Sequence, residues 1–171
     1  MLLTKATNRT AKKAGKYVNG KHVDSLLNNY KKERWVQNSK HIGKEDSLSV
    51  WYSVEELQEF LATAKQNGAD GIKMYFGVYK ADTAKEERYE ERQTIVMIAS
   101  KTKVLENGVS ADKNVYINTE KGVEILAYNS GRICPPACGD GTGTGQGPET
   151  GFDWDNMGIL IDRKDEGMII I

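Results

Sequence analysis

Proline, cysteine and histidine are scarce in this chain, at three, two and two residues of 171. Two cysteines cannot build the disulfide framework on which small secreted domains depend. The two histidines, His22 and His41, lie far from Cys134 and Cys138 in sequence. No contiguous motif therefore offers the roughly four ligands that a structural zinc requires. No apolar run approaches the roughly 20 residues of a membrane helix, and the C-terminal "MIII" is far too short. The N-terminal "MLLTKATNRTAKKAGKYVNGK" is basic but has no apolar h-region. A secretory signal is not expected there, so a cytoplasmic protein with two free thiols is.

What is present fits one globular domain. Hydrophobic residues make up 39% and charged residues 28%, and a chain of this length buries enough surface to fold without a metal or a crosslink. The formal charge is zero but unevenly spread. Residues 1–44 hold eleven Lys and Arg against only Asp24 and Glu33, which leaves the remainder acidic. Such an arm suits an anionic partner, or the acidic body of its own chain or of a second copy.

Along the chain, residues 4–18 read as a modest polar helix on the stripe Ala6, Ala11, Ala14 and Val18. Val23, Leu26, Leu27 and Tyr30 recur at helical spacing and predict a short helix over 22–33. Residues 34–50 read as irregular, with Trp35 and Ile42 anchoring them to the core. "SVEELQEFLATAKQNG" then predicts a helix over 53–67. Ser53 and Glu56 form a capping box, each meeting a backbone N–H that the first turn leaves unpaired, and Asn67-Gly68 ends the helix.

"GIKMYFGVYK" alternates strictly, as a strand does. Ile72, Met74, Phe76 and Val78 are expected to face the helices; Lys73, Tyr75 and Tyr79 share the other side as a candidate ligand face, and Gly77 hints at a bulge or a close neighbour. "TIVMIAS" is apolar on both faces and predicts a central strand, antiparallel to the previous one. Between the two, "ADTAKEERYEERQ" would stack like charges at i,i+4 as a helix, so a mobile charged excursion with one helical turn is expected. "NVYIN" and "VEILAY" predict short strands. Ile159, Leu160 and Ile161 add a last one, with "DRKDEG" turning back to "MIII".

The stretch "RICPPACGDGTGTGQGPETG" carries both cysteines and all three prolines. Its C-x3-C spacing is not the C-x2-C of thioredoxin-type or zinc-knuckle motifs. A metal or redox role stays open for Cys134 and Cys138 with His22 and His41 as the imidazoles, as does a local disulfide. A stiff structural elbow leading into a mobile Gly-rich run is the leading reading. A Walker loop fails because no Lys occurs between Arg132 and Arg163. The dinucleotide pattern fails because Gln146 stands where glycine is needed. "DWDNMGILIDRK" starts like a calcium loop but places Met157 and Lys164 at ligand positions. No nucleophile elbow occurs.

The W-Y-S-V-E-E-L helix start, the G-I-K-M-Y-F-G strand, the long connector, the "TIVMIAS" strand and the Gly/Pro/Cys-rich end resemble a family of small bacterial proteins over about residues 22–151. The resemblance implies an α+β fold and a bacterial cytoplasm, and it implies no catalytic residue.

The expectation is a single α+β domain over 1–171, with a small, mostly antiparallel sheet of three to five strands packed on one face by about three helices. Its parts are a basic arm over 1–21, a core over 22–131, the elbow and Gly-rich loop over 132–152, and a C-terminal strand segment over 153–171. The leading functional reading is a non-enzymatic binding protein, with a protein partner or a second copy and no cofactor. The alternative is a metal- or redox-linked protein using Cys134 and Cys138. Third comes nucleic-acid binding through Lys12, Lys13, Lys16, Lys31, Lys32 and Arg34, which lack a regular interleaving of aromatics.

Overall fold

Asn19 opens the first helix by accepting the His22 amide on its side chain, as a good N-cap does. In the computed structural model, which describes residues 13–138 and the backbone of 160–162 and 168–170, this helix is α1, Gly20–Tyr30. It does not stop there. A π-helical turn, Lys31–Trp35, carries it into α2, Val36–Ile42, and the backbone stays right-handed across both joints. Gly43 then ends the run in the left-handed conformation that glycine adopts at no steric cost (φ 69°). The expected irregular stretch 34–50 is thus helical as far as Ile42. Propensity could not show this, because the run is held by tertiary burial of Trp35 and Val36. Residues 13–18 are not helical, and the rest of the helix expected over 4–18 lies outside the described residues.

After the short strand β1, Ser49–Trp51, comes α3, Val54–Gln66. Its capping box is complete: the Glu56 N–H donates to Ser53 Oγ at 3.0 Å and the Ser53 N–H donates to Glu56 Oε2 at 2.8 Å. Then follow β2, Gly71–Val78; a 3-10 turn, Glu87–Tyr89; β3, Gln93–Val104; β4, Ser110–Asn114; β5, Tyr116–Thr119; β6, Gly122–Ile125; β7, Ala127–Tyr128; β8, Arg132–Cys134; β9, Leu160–Asp162; and β10, Met168–Ile170.

The fold is α+β, with more and smaller sheets than the sequence suggests. β2, β3 and β4 pair in that order, and β7 pairs with β3. Two-stranded antiparallel pairs join β1 to β8, β5 to β6 and β9 to β10. Among the described residues the helices amount to α3 and the α1–π–α2 run, fewer bodies than the three expected. β3 is central as predicted, and β2 runs antiparallel to it from Gly71↔Ser100 to Val78↔Gln93, in register through Gly77.

Two cores form. In the first, Phe60 and Ala64, one turn apart on α3, pack with Met97 and Ala99 of β3 and with Val115 and Leu126. Phe60 also stacks on Tyr128 at 5.3 Å between ring centroids. Burying a side chain of that size contributes about 2–3 kcal/mol. In the second, Tyr79, Tyr89, Ile133 and Ala137 close together. The charged connector is therefore ordered, not a free excursion: Tyr89 is fully buried, and the Glu91 N–H donates to the Tyr79 carbonyl at 2.8 Å. As expected, it forms no helix beyond one turn, the 3-10 turn Glu87–Tyr89, and the buried Tyr89 ring anchors that turn.

The elbow joins this second core through Ile133 and Ala137. Cys134 and Cys138 are joined in a disulfide, which corrects the expectation of two thiols. The Gly-rich run expected to be mobile lies outside the described residues. No helix among the described residues is long and apolar enough to cross a membrane.

Candidate functional site: an apolar edge and its cleft

The face of β2 that carries Ile72, Met74, Phe76 and Val78 points to the side expected, but its cover is partial. Across the register these residues meet Ala99, Met97, Ile95 and Gln93 of β3. α3 lies over the β3 column, where Met97 and Ala99 are buried. Ile72 packs against that core. Met74, Phe76 and Val78 do not follow it: they are 65%, 77% and 57% exposed. The alternation is a true strand signal, yet it says nothing of how wide the covering helix is.

These three residues also present backbone. The Tyr79 N–H donates to the Arg92 carbonyl on the β3 side. In an antiparallel ladder bonded and non-bonded pairs alternate. Tyr79, Gly77, Tyr75 and Lys73 therefore bond β3, while Val78, Phe76 and Met74 turn their N–H and C=O groups to the outer edge. Among the described residues no strand pairs with that edge. Natural sheets usually blunt such an edge with lysine, proline or a bulge. Here β2 has one lysine, Lys73, no proline and an unbroken register.

Beside this edge lies a cleft of about 170 Å³. Its apolar walls come from Leu27, Leu48, Val50, Phe76 and Ile95, with Tyr30 and Gln93 adding polar atoms. A cavity of about 150 Å³ accepts a benzene ring, so this one holds a single large apolar side chain.

A buried polar knot lies behind the cleft, joined to its lining residues Ser47 and Gln93. The Asp46 carboxylate accepts the N–H of Ser47 at 2.7 Å, the N–H of Gln93 at 2.6 Å and Asn38 Nδ2 at 3.0 Å. Trp35 Nε1 donates to the Asp46 carbonyl at 2.7 Å, and the Asp46 N–H donates to Ser39 Oγ at 2.9 Å. The π turn places Trp35 for this bond and buries it completely. Arg92 is buried nearby. Its pKa is lowered by burial, against the pull of Glu45 and Asp46. Tyr30 has its pKa pushed up to about 12, first by burial and then by the charge of Asp46. The wall thus offers a neutral phenol at ordinary pH.

The residues singled out by sequence scatter. Tyr79 is buried; its hydroxyl donates to Asn129 Oδ1 at 2.9 Å and accepts from Thr94 Oγ1 at 3.1 Å. Lys73 lies over the Tyr75 ring at 5.8 Å and donates to the Asp112 carbonyl at 3.2 Å. So Lys73, Tyr75 and Tyr79 do not form one open ligand face, because the second core takes Tyr79 for itself.

His22 and His41 are exposed, at opposite ends of the α1–π–α2 run. Among the described residues no group of three or more His, Cys, Asp or Glu could hold a metal. Of the basic set, Lys31 is buried, Lys13, Lys16, Lys32 and Arg34 are exposed, and Lys12 lies outside the described residues. Arg34 donates to the Glu33 carbonyl. Sequence reading missed Asp46, Asn38 and Gln93 altogether, for no local pattern marks a carboxylate that caps a distant strand. Compared with known proteins, the chain matches no family model, no curated protein and no solved structure.

Proposed function

We propose that this chain is a non-enzymatic binding protein that takes an extended apolar segment of a protein along β2. The observation that carries the reading is the coincidence of two features on the same three residues. Met74, Phe76 and Val78 expose large apolar side chains and, by the ladder alternation, unpaired backbone groups. An added strand would satisfy the backbone groups, while the cleft takes one of its side chains and so supplies selectivity. A contiguous exposed apolar patch of this kind is a common mark of an interaction site.

The test is binding of extended apolar peptides from a display library, followed by fluorescence anisotropy. Phe76→Glu is expected to weaken the best binders at least tenfold without changing the melting temperature, because Phe76 is largely exposed. A library that yields no binder, or binders indifferent to Phe76→Glu, removes the reading.

A second reading is favoured by the Cys134–Cys138 bridge. Cys138 is exposed, so its sulfur is open to attack by an external thiolate. In this reading the pair is a reversible redox element. A cytoplasmic location belongs to the same proposal, and it makes the bridge a reducible one, since that compartment keeps ordinary thiols reduced. Membership of the bacterial family that the helix and strand motifs resemble is also part of this proposal.

A further inference from the structure

We infer that the β3–β4 ribbon is a docking arm for an anionic membrane surface, which it enters by its turn. The ribbon stands at the opposite edge of the sheet from β2, so the inference is independent of the peptide-binding reading.

The outer half of the ribbon stands clear of both cores: every residue from Lys101 to Ser110 is exposed. Its turn is nevertheless well fixed. The Leu105 N–H donates to the Val109 carbonyl at 2.8 Å, the Gly108 N–H to the Leu105 carbonyl at 2.9 Å and the Val109 N–H to Asn107 Oδ1 at 3.1 Å. Gly108 supplies the left-handed residue that such a turn needs (φ 79°).

The two faces of the ribbon differ in kind. Lys101 pairs with Lys113 and Lys103 with Ala111, and the alternation carries Leu105 and Val109 onto the same side. From the turn inward that face reads two apolar residues, then Lys103, then Lys101 and Lys113. The other face holds Val104, Thr102 and Asp112. The carboxylates there are engaged. Asp112 Oδ1 accepts from Thr102 Oγ1 at 3.2 Å, and Asp70 Oδ1 accepts the Thr102 N–H at 3.0 Å. Among the described residues no carboxylate pairs with Lys103 or Lys113.

This segregation calls for a partner. Like charges directly across a ladder, such as Lys101 and Lys113, destabilise it. Protecting β4 as a sheet edge would need lysine on β4 alone. Val104, Leu105 and Val109 are 52%, 37% and 55% exposed around one turn, which makes them a patch.

The order of the residues fits a bilayer. Lys103 stands two residues behind Leu105, roughly 7 Å along the strand. The headgroup layer is roughly 5–8 Å deep on each side of the hydrocarbon. With the turn at the hydrocarbon boundary, Lys103 therefore lies at the level of the phosphates and Lys113 just above them. Glu106 is the one carboxylate of the turn, against three lysines on the face behind it. Apolar burial and attraction to anionic lipid add together in such docking. A nucleic acid would meet the lysines but has no hydrocarbon to receive the turn.

The experiment mixes the full chain with vesicles of phosphatidylcholine alone, or with about one-third phosphatidylserine, and reads the bound share by sedimentation. Binding to the anionic vesicles at least tenfold tighter than to the neutral ones is the expected result. Leu105→Ser/Val109→Ser and Lys103→Glu/Lys113→Glu should each lose at least tenfold, with the melting temperature unchanged because these side chains are exposed. A second readout leaves the turn apolar. Leu105→Cys is labelled with a polarity-sensitive dye while the Cys134–Cys138 disulfide stays intact, and its emission should shift to the blue on anionic vesicles. No binding to those vesicles, or emission that does not shift, overturns the inference. So does binding that is lost with the lysines but kept in the serine variant, which assigns the face to a soluble polyanion instead.

Discussion

Asp46 accepts the main-chain N–H of Gln93 at 2.6 Å, across 47 residues of sequence. The bond ties the loop after α2 to the first residue of β3. It also explains why a carboxylate is tolerated in a buried place. Three donors surround it, and a charge lost from water is matched by hydrogen bonds aimed at it. Two of the residues it fixes, Ser47 and Gln93, line the cleft beside β2.

Asp46→Ala is expected to lower the unfolding free energy by about 3 kcal/mol, since charge-assisted bonds are worth about 1.5–3 kcal/mol each and buried donors left unmet add to the loss. Asp46→Asn, which keeps the size and one acceptor, should fall between the two. Urea denaturation followed by tryptophan fluorescence gives the values. A loss below about 0.5 kcal/mol for the alanine variant would mean that the knot contributes little.

Glu56 supplies a pH signature. The bond from the Ser53 N–H is the first cause that holds its carboxyl below the ordinary value of 4.5. A carboxyl whose folded pKa lies below its unfolded one contributes stability that is present above the unfolded value and fades as pH falls through the folded one. Glu56→Gln keeps a capping side chain but cannot titrate. The melting temperature of the variant is expected to change less than that of the native chain between pH 5 and about pH 3. Ser53→Ala, measured at pH 7, should cost about 1 kcal/mol, the usual loss for a helix N-cap.

Gly131 is held by a close approach, not by an unusual backbone angle. A Cβ there would stand 2.5 Å from Tyr52 Cζ and 2.6 Å from Val50 Cγ1. Gly131→Ala is expected to destabilise by about 1–3 kcal/mol, the range for overpacking a tight site. Since Val50 is also a wall of the cleft, the same variant should weaken peptide binding. Calorimetry and anisotropy on one sample would measure both. Unchanged melting would show that β1 can give way freely.

The Cys134–Cys138 ring closes over only a few residues. Loop entropy assigns it about 2 kcal/mol. Reduction should lower stability by that order and release two thiols that react with a maleimide. Under native conditions the redox reading expects Cys138, which is exposed, to react before Cys134, which is half-buried. Mass spectrometry of the labelled peptides decides the order, and simultaneous or reversed labelling counts against the redox reading.

Much of the fold was legible because its signals are local. The Ser53–Glu56 capping box needs four residues and no partner elsewhere. The alternation of β2, the two-faced apolar character of β3 and the closing hairpin are likewise periodic patterns. Trp35 was legible as an anchor because a lone large apolar residue in a polar stretch has few other uses. The continuation of the first helix through Lys31–Trp35 was not legible, since it depends on what Trp35 is buried against.

The chain by itself determined where α3 and the strands β2 and β3 begin, since these follow from a capping box and from side-chain spacing. It also ruled out the Walker, dinucleotide and calcium motifs by residue type alone. Only the tertiary structure decided that α3 covers β3 and stops short of Met74, Phe76 and Val78, that Tyr79 turns inward with Tyr89, and that Asp46 reaches Gln93. Those outcomes depend on which surfaces meet, and the meeting is set by volume and shape summed over residues distant in sequence. The site proposed here is such an outcome: an ordinary strand by pattern, made into a binding edge by the helix that fails to reach across it.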